Sequence, residues 1–329
     1  MDMSRRSWLI AIVCAALCGL VLAVEAPSRD SRYTENIFVV NADGTGRRNL
    51  TLGSSLAQRL LLALSPDGRT LAYSGPHTIE VLPVRGGKAR TLVRLPGRNA
   101  SSAGWSRDGK LFAFEMCCDP WGVGIVRADG TSVLTIPYAT DPAWLPGGRL
   151  AFLAGNEIHQ NEIATTNPDG SERRSVLHAE PLERFGSLAV SPNGRAFAFT
   201  SSTEQGEWLT SLGPPGTAPV RIARGALEVS WSPSSGRLVF ATEQDGLVTV
   251  ASDGSRIRRY RAIRSLSPGF PAWSPDGTRI AFRAKYGRLR VMNVRRGSLR
   301  VVAREAVGDQ PLWSPDGRRL YYVARSGRD

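Results

Sequence analysis

The chain has 329 residues, enough for one large all-β domain or two ordinary domains, and it can bury a substantial core. Its formal net charge is +13, but Lys88, Lys110 and Lys285 are its only lysines, so the excess is almost wholly arginine; that skew reads as coding bias, and nucleic acid is not an expected partner. With 34 glycines and 21 prolines, and no capped helical periodicity beyond the N-terminus, the composition points to many short strands joined by turns.

At the N-terminus Arg5 and Arg6 precede an apolar run from Trp8 to Val24, and small residues follow it. This is the pattern of a secretory signal peptide, with cleavage expected after Ala23. The alternative is an uncleaved anchor, although the run is near the short end for a spanning helix. Residues 1–23 are therefore read as a signal peptide and 24–35 as a short linker, which predicts a periplasmic or secreted protein with no stable membrane span once the signal is removed. Cys14 and Cys18 fall inside the apolar run, and neither follows the very small residue expected before a lipid-attachment cysteine. The rest of the chain holds only the adjacent pair Cys117 and Cys118, which would be a vicinal disulfide or two thiols. Stability must then come from an apolar core.

One segment recurs about every 41 residues, a propeller-like period. Its copies are Leu64-Ser-Pro-Asp-Gly68, Trp105-Ser-Arg-Asp-Gly109, Trp144-Leu-Pro-Gly-Gly148, Val190-Ser-Pro-Asn-Gly194, Trp231-Ser-Pro-Ser-Ser-Gly236, Trp273-Ser-Pro-Asp-Gly277 and Trp313-Ser-Pro-Asp-Gly317. The copy at Trp144 lacks Asp, and the copy at Trp231 reads as carrying one extra turn residue. Proline presets φ at the second turn position, Asp or Asn suits the third, and glycine accepts positive φ at the fourth. An alternating apolar strand follows each copy, as in Ile280-Ala-Phe282. A second turn comes roughly 20 residues later, closing on Gly87, Gly130, Gly170, Gly216, Gly254 and Gly297. Each repeat is thus two hairpins, or four strands. The last copy stops after one hairpin, and the chain begins with the missing one, Asn36 to Gly44 and Arg47 to Thr51. The prediction is an all-β, seven-bladed β-propeller of four-stranded blades over residues 36–325, its ring closed by N-terminal and C-terminal hairpins sharing one blade, with 326–329 as a tail. Closure removes exposed sheet edges.

The Trp-Ser-Pro-Asp-Gly-x-x-Ile/Leu-Ala-Phe motif, paired with Val-x-Asn-Ala-Asp-Gly, resembles the WD40-like (PD40) repeat of TolB-type propellers. Similar repeats occur in the propeller domains of prolyl oligopeptidase-like enzymes. The resemblance covers residues 36 to 325 and implies a fold, not a function. TolB proteins carry an additional N-terminal α/β domain and six blades, whereas this chain counts to seven and has only about a dozen residues between signal and first strand. No role in the Tol system is carried over.

Candidate chemistry is sparse. The recurrent tryptophans share their slot with Leu64 and Val190, so the position is read as wanting bulk between blades. The recurrent aspartates are explained by the turns. There is no Gly-x-Ser-x-Gly elbow, and His77, His159 and His178 lie in different repeats. No catalytic residue, metal ligand or cofactor is assigned, a divalent cation alone being compatible with the acids.

Charge divides by face. Loops joining second to third strands emerge at one face, the mouth, with Glu115, Asp119, Glu157, Glu162, Glu204, Glu207, Glu243 and Asp245, while the hairpin turns carry arginines to the underside. Binding usually resides in loops on a rigid scaffold. The candidate patch is Asp119, Trp121, Glu157, His159, Glu162, Glu204, Glu207 and Trp208, on the segments 115–122, 155–162 and 201–208. The expected partner is a protein or a cell-envelope polymer, bound by a monomeric scaffold. The alternatives are a propeller-type lyase or hydrolase acting on a polysaccharide or lactone, and a stand-alone relative of oligopeptidase propeller domains.

Overall fold

The Ser-Pro-Asp-Gly segment closes on itself by side-chain hydrogen bonds as well as by its backbone. The structure, a computed structural model, describes residues 33–51, 61–118, 121–156, 160–214, 217–261, 263 and 269–327. At the first turn Ser65 Oγ donates to Asp67 Oδ1 at 2.6 Å and accepts the Thr70 amide at 2.9 Å, while the same carboxylate oxygen accepts the Arg69 amide at 3.0 Å. The triangle recurs at Ser106 and Asp108, Ser191 and Asn193, Ser274 and Asp276, and Ser314 and Asp316. The serine hydroxyls and the amides hold the Asp67, Asp108 and Asp316 carboxyls below their ordinary range.

These turns join strands of seven four-stranded blades. In chain order the first two strands are β1 (Tyr33–Asn41) and β2 (Arg48–Asn49). Blade one is β3 (Leu61–Leu64), β4 (Thr70–Gly75), β5 (Thr78–Pro83) and β6 (Arg90–Arg94); blade two is β7 (Ala100–Trp105), β8 (Leu111–Met116), β9 (Gly122–Arg127) and β10 (Ser132–Pro137). Blade three is β11 (Ala139–Trp144), β12 (Leu150–Gly155), β13 (Gln160–Thr166) and β14 (Arg174–His178); blade four is β15 (Arg184–Val190), β16 (Phe197–Thr203), β17 (Gly206–Leu212) and β18 (Val220–Arg224). Blade five is β19 (Leu227–Trp231), β20 (Arg237–Thr242), β21 (Gly246–Ala251) and β22 (Arg258–Tyr260); blade six is β23 (Gly269–Trp273), β24 (Arg279–Ala284), β25 (Arg288–Asn293) and β26 (Leu299–Ala303). Blade seven joins the two ends of the chain in the order β2-β1-β28-β27, with β27 (Ala306–Trp313) and β28 (Arg319–Gly327). The closure expected from the half-repeats is therefore observed, and its strands run slightly beyond residues 36–325. The compact unit Glu35–Ser326 holds the ring.

First strands of neighbouring blades contact one another around the ring, so they line its axis. Buried apolar side chains form seven clusters, one at each interface between blades, and the second-strand aromatics Tyr73, Phe114, Phe152, Phe199, Phe240, Phe282 and Tyr322 contribute one to each. The core is thus divided among interfaces rather than held within single blades, as expected when one repeat cannot bury its apolar faces alone.

Two expectations are corrected. First, the tryptophan slot is not bulk alone. The indole N–H of Trp144 donates to Gly104 O at 3.0 Å, that of Trp231 to Ala189 O at 3.1 Å, and that of Trp313 to Ala272 O at 3.1 Å, each on the preceding blade's first strand. Second, Gly236 is not a left-handed turn residue. Ser235 takes that place with φ 61°, and its amide donates to Ser232 O at 2.8 Å, as Gly277 donates to Ser274 O. There is no extra residue in that turn; a serine stands where other copies have glycine. In the second-turn series Gly86 closes on Pro83 O, with Gly87 following at φ 126°, and Gly216 lies outside the described residues. The remaining turn glycines, Gly44, Gly68, Gly109, Gly130, Gly148, Gly170, Gly194, Gly254, Gly277, Gly297 and Gly317, all have positive φ.

Four arginines of the outer strands are engaged in structure, while hairpin-turn cations such as Arg69, Arg85, Lys88, Lys110, Arg195, Arg256 and Arg318 stand exposed. Arg48 donates to Val84 O and Arg85 O, Arg90 to Ala128 O, Arg258 to Val294 O and Arg295 O, and Arg300 to Asp43 O. In each case an outermost-strand arginine clasps the second turn of the next blade. Each stands two residues before a buried apolar residue, namely Leu50, Leu92, Tyr260 or Val302.

Candidate functional site

The first strands are not regular. Each carries a register shift near its mouth-side half, and five bulge residues adopt left-handed backbone: Ser102 at φ 29°, Asp141 at 50°, Ser187 at 49°, Glu228 at 54° and Phe270 at 51°. None is glycine, and such strain clusters where structure over-determines it, often at functional sites. All five stand three residues before the tryptophan slot, as does Gln310 before Trp313. Asp141, Ser187, Glu228, Phe270 and Gln310 line one cavity of about 160 Å³. First strands of five consecutive blades supply this lining, so the cavity lies on the axis.

Carboxylates tie the bulges together around the ring. The Asp141 amide donates to Glu115 Oε2 at 3.1 Å, the Ser187 amide donates to the Asp141 carboxylate, and the Phe270 amide donates to Glu228 Oε2 at 2.6 Å. A left-handed residue turns its N–H out of the ladder, and the acid of the preceding blade accepts it. Ser102 Oγ also lies 3.4 Å from Asp141 Oδ1. Burial, and then the Asp141 charge, push Glu115 up to about 7; burial raises Asp141 to about 6. Both carboxyl groups therefore ionise at higher pH than an exposed carboxylate. Around the cavity the Arg283 guanidinium lies 5.5 Å from the Phe270 ring centroid, and Gln310 Nε2 donates to Pro271 O at 2.8 Å, which leaves its amide oxygen beside the carboxylates of Asp141 and Glu228.

The predicted patch is placed differently from this cavity. Asp119, Glu157 and His159 lie outside the described residues. The stretch 201–208 is a tight hairpin, with Ser202 paired to Glu207 and Thr203 to Gly206, because Gly206 accepts φ 113° there. Glu204 and Glu207 are exposed on it. Trp208 is half-buried on β17 with the guanidinium groups of Arg224 and Arg221 at 4.9 and 5.6 Å from its ring. Trp121 stands edge-on to Tyr138, centroids 5.5 Å apart. Glu162 meets Arg173 at 2.5 Å and His178 at 4.0 Å. Arg259 and Arg261 similarly hold Asp245 at 3.0 and 3.1 Å. Arginines therefore engage two of the acids assigned to the mouth, Glu162 and Asp245, while Asp141 and Glu228 line the axial cavity with Glu115 beside Asp141.

Sequence reasoning had passed over this ring. Its signal is the position three before the tryptophan slot, which reads Leu61, Ser102, Asp141, Ser187, Glu228, Phe270 and Gln310. That position varies in chemistry while its neighbours repeat. Among the described residues no group of three or more His, Cys, Asp or Glu is arranged to hold a metal, and no helix is long and apolar enough to cross a membrane. Cys117 and Cys118 carry free thiols with their sulfurs 3.0 Å apart.

The chain is similar in structure to TolB from Agrobacterium tumefaciens, with TM-score 0.56 and 17% identity over 89% of this chain and 99% of that one. The likeness is that of a β-propeller fold. An oligogalacturonate lyase from Vibrio parahaemolyticus gives TM-score 0.61 at 10% identity, covering 88% of this chain and 83% of the lyase. No family model matches. Dipeptidyl-peptidase 5 of Porphyromonas endodontalis is 23% identical over 210 residues, which are 57% of this chain. The match spans only 28% of that peptidase. At these identities the likenesses concern the β-propeller fold alone.

Proposed function

We propose that this chain is an exported, extracytoplasmic propeller scaffold, periplasmic or secreted, that binds a protein or cell-envelope polymer at its mouth. The observation that carries the reading is the axial cavity. The first-strand bulges place Asp141, Ser187, Glu228, Phe270 and Gln310 around one opening, and this is the place where the repeat abandons its consensus. Acceptors beside an aromatic ring suit a cationic or hydroxyl-rich group of the partner. Trp121, Glu204, Glu207 and Trp208 form the wider rim of the proposed interface.

The test is retention of envelope-extract components on the immobilised protein, compared with an Asp141→Asn/Glu228→Gln variant and a Trp121→Ala/Trp208→Ala variant. A partner kept by the native protein and lost by the axial variant supports the reading. Equal retention by all three proteins would remove the mouth from the interface.

A second reading has one observation in its favour. Asp141, which lines the cavity, is raised to about 6, and its neighbour Glu115 is raised to about 7; carboxyls shifted toward neutrality suit general acid–base chemistry on a polysaccharide or lactone. Turnover abolished by Asp141→Asn, with the fold retained, would select it over the binding scaffold.

A further inference from the structure

We propose that the cleft between blades one and two is a binding site for a single-chain amphiphile ending in a carboxylate, distinct from the axial cavity. The cleft runs between β6 on one side and β9 and β10 on the other, and its volume is about 560 Å³. That lies within the range of small-molecule sites.

The reason for the cleft is a single glycine. Opposite the second-strand aromatic, the third strand carries Glu80 in blade one, Ala164 in blade three, Thr210 in blade four, Val248 in blade five and Arg290 in blade six. In blade two it carries Gly124, paired with Phe114. A Cβ on Gly124 would stand 2.6 Å from Phe114 Cζ, so the ring lies down across the β9 backbone. A strand glycine commonly marks such a close approach. Phe114 and Met116 form the floor, Leu92 and Val93 the wall from β6, and the exposed Ser132 and Thr135 the outer lip.

One end of this apolar cleft is cationic. Arg94 and Arg98 stand where β6 reaches the mouth face, and both line the cleft. Arg98 is half-buried, and its guanidinium contacts Met116 Sδ at 4.0 Å. A thioether is a weak acceptor. Among the described residues neither arginine has a carboxylate partner. Two guanidinium groups at the end of an apolar trough match a carboxylate head with its tail lying along the trough.

The experiment titrates the full chain with dodecanoate, with dodecyltrimethylammonium and with anionic phospholipid vesicles, reading heat or intrinsic fluorescence. Saturable one-site binding of dodecanoate is expected, at least tenfold weaker in Arg94→Gln/Arg98→Gln. Thr135→Trp, at an exposed position that leaves the core untouched, should block the cleft and abolish binding. The proposal is overturned if dodecanoate does not saturate, if the cationic amphiphile binds as well, if only vesicles bind, or if Thr135→Trp binds like the native chain. Loss of binding in the axial Asp141→Asn/Glu228→Gln variant would likewise overturn it, by placing the ligand at the axis.

Discussion

The amide of Asp141 donates to Glu115 Oε2 at 3.1 Å, and the two carboxyl groups lie close enough for the charge of one to raise the other. Burial and then that charge take Glu115 from 4.5 to about 7, and burial takes Asp141 from 3.8 to about 6. Folded-state values above the unfolded ones mean that the native protein binds more protons than the unfolded chain between about pH 4 and 7. Stability contributed by the protonated pair is complete below the unfolded values and is lost as pH rises through the folded ones. Urea unfolding at pH 5 and pH 8 should show the protein less stable at pH 8, by on the order of 1–3 kcal/mol. Glu115→Gln should remove most of that difference. A variant keeping the full native slope would show that another group titrates. Below about pH 4 the trend reverses, since the turn carboxyls Asp67, Asp108 and Asp316 are lowered from 3.8 and lose their hydrogen bonds on protonation.

The seven turns made the architecture legible because their chemistry is local. Ser65, Pro66, Asp67 and Gly68 satisfy one another within the segment, so the same residues recur wherever the same turn does. The axial site was not legible in the same way. Ser102, Asp141, Ser187, Glu228 and Phe270 share a backbone conformation that none of their side chains announces. At Asp141, Ser187 and Phe270 a carboxylate of the neighbouring blade accepts the displaced amide. Spacing within one blade carries no trace of a bond between blades, and two acids of the second-to-third-strand loops, Glu162 and Asp245, are engaged by Arg173, Arg259 and Arg261.

The arginine clasps make a prediction about charge. Arg258 donates to two carbonyls of the next blade, at 2.8 and 3.2 Å, rather than to a carboxylate. Arg258→Ala should cost about 0.5–1.5 kcal/mol, with little change in that cost at high salt, because no ion pair is screened. Arg256→Ala, an exposed neighbour on the turn, should fall within about 0.5 kcal/mol of native. Chemical denaturation of both variants at low and high salt checks the pair. A salt-sensitive loss at Arg258 would refute the carbonyl clasp.

Trp313 and Trp273 occupy the same slot with different hydrogen bonding. Trp313 Nε1 donates to Ala272 O at 3.1 Å, whereas Trp273 Nε1 is buried without a partner among the described residues. Replacement by Phe removes similar volume at each. Trp313→Phe should therefore be the costlier by about 1 kcal/mol, since it leaves a carbonyl unpaired where Trp273→Phe relieves an unpaired donor. Thermal unfolding of the two variants side by side decides it, and equal midpoints would mean that the indole bond adds nothing to the packing.

Gly130 and Gly297 separate backbone strain from steric overlap. Both close second turns with positive φ, 96° and 70°. Around Gly297 a Cβ would meet nothing within 4 Å, but at Gly130 it would stand 2.5 Å from Leu92 O on the outer strand of blade one. Gly297→Ala should cost about 1 kcal/mol, the left-handed penalty alone. Gly130→Ala carries the same penalty and must also push β6 away, so a loss of about 2–4 kcal/mol is expected. The displaced strand is one wall of the cleft between blades one and two, so dodecanoate affinity should change in Gly130→Ala and stay native in Gly297→Ala. Two variants of equal stability would show that the turn of blade two is free to move away from blade one, and that the rigid interface inferred from the Leu92 contact is wrong.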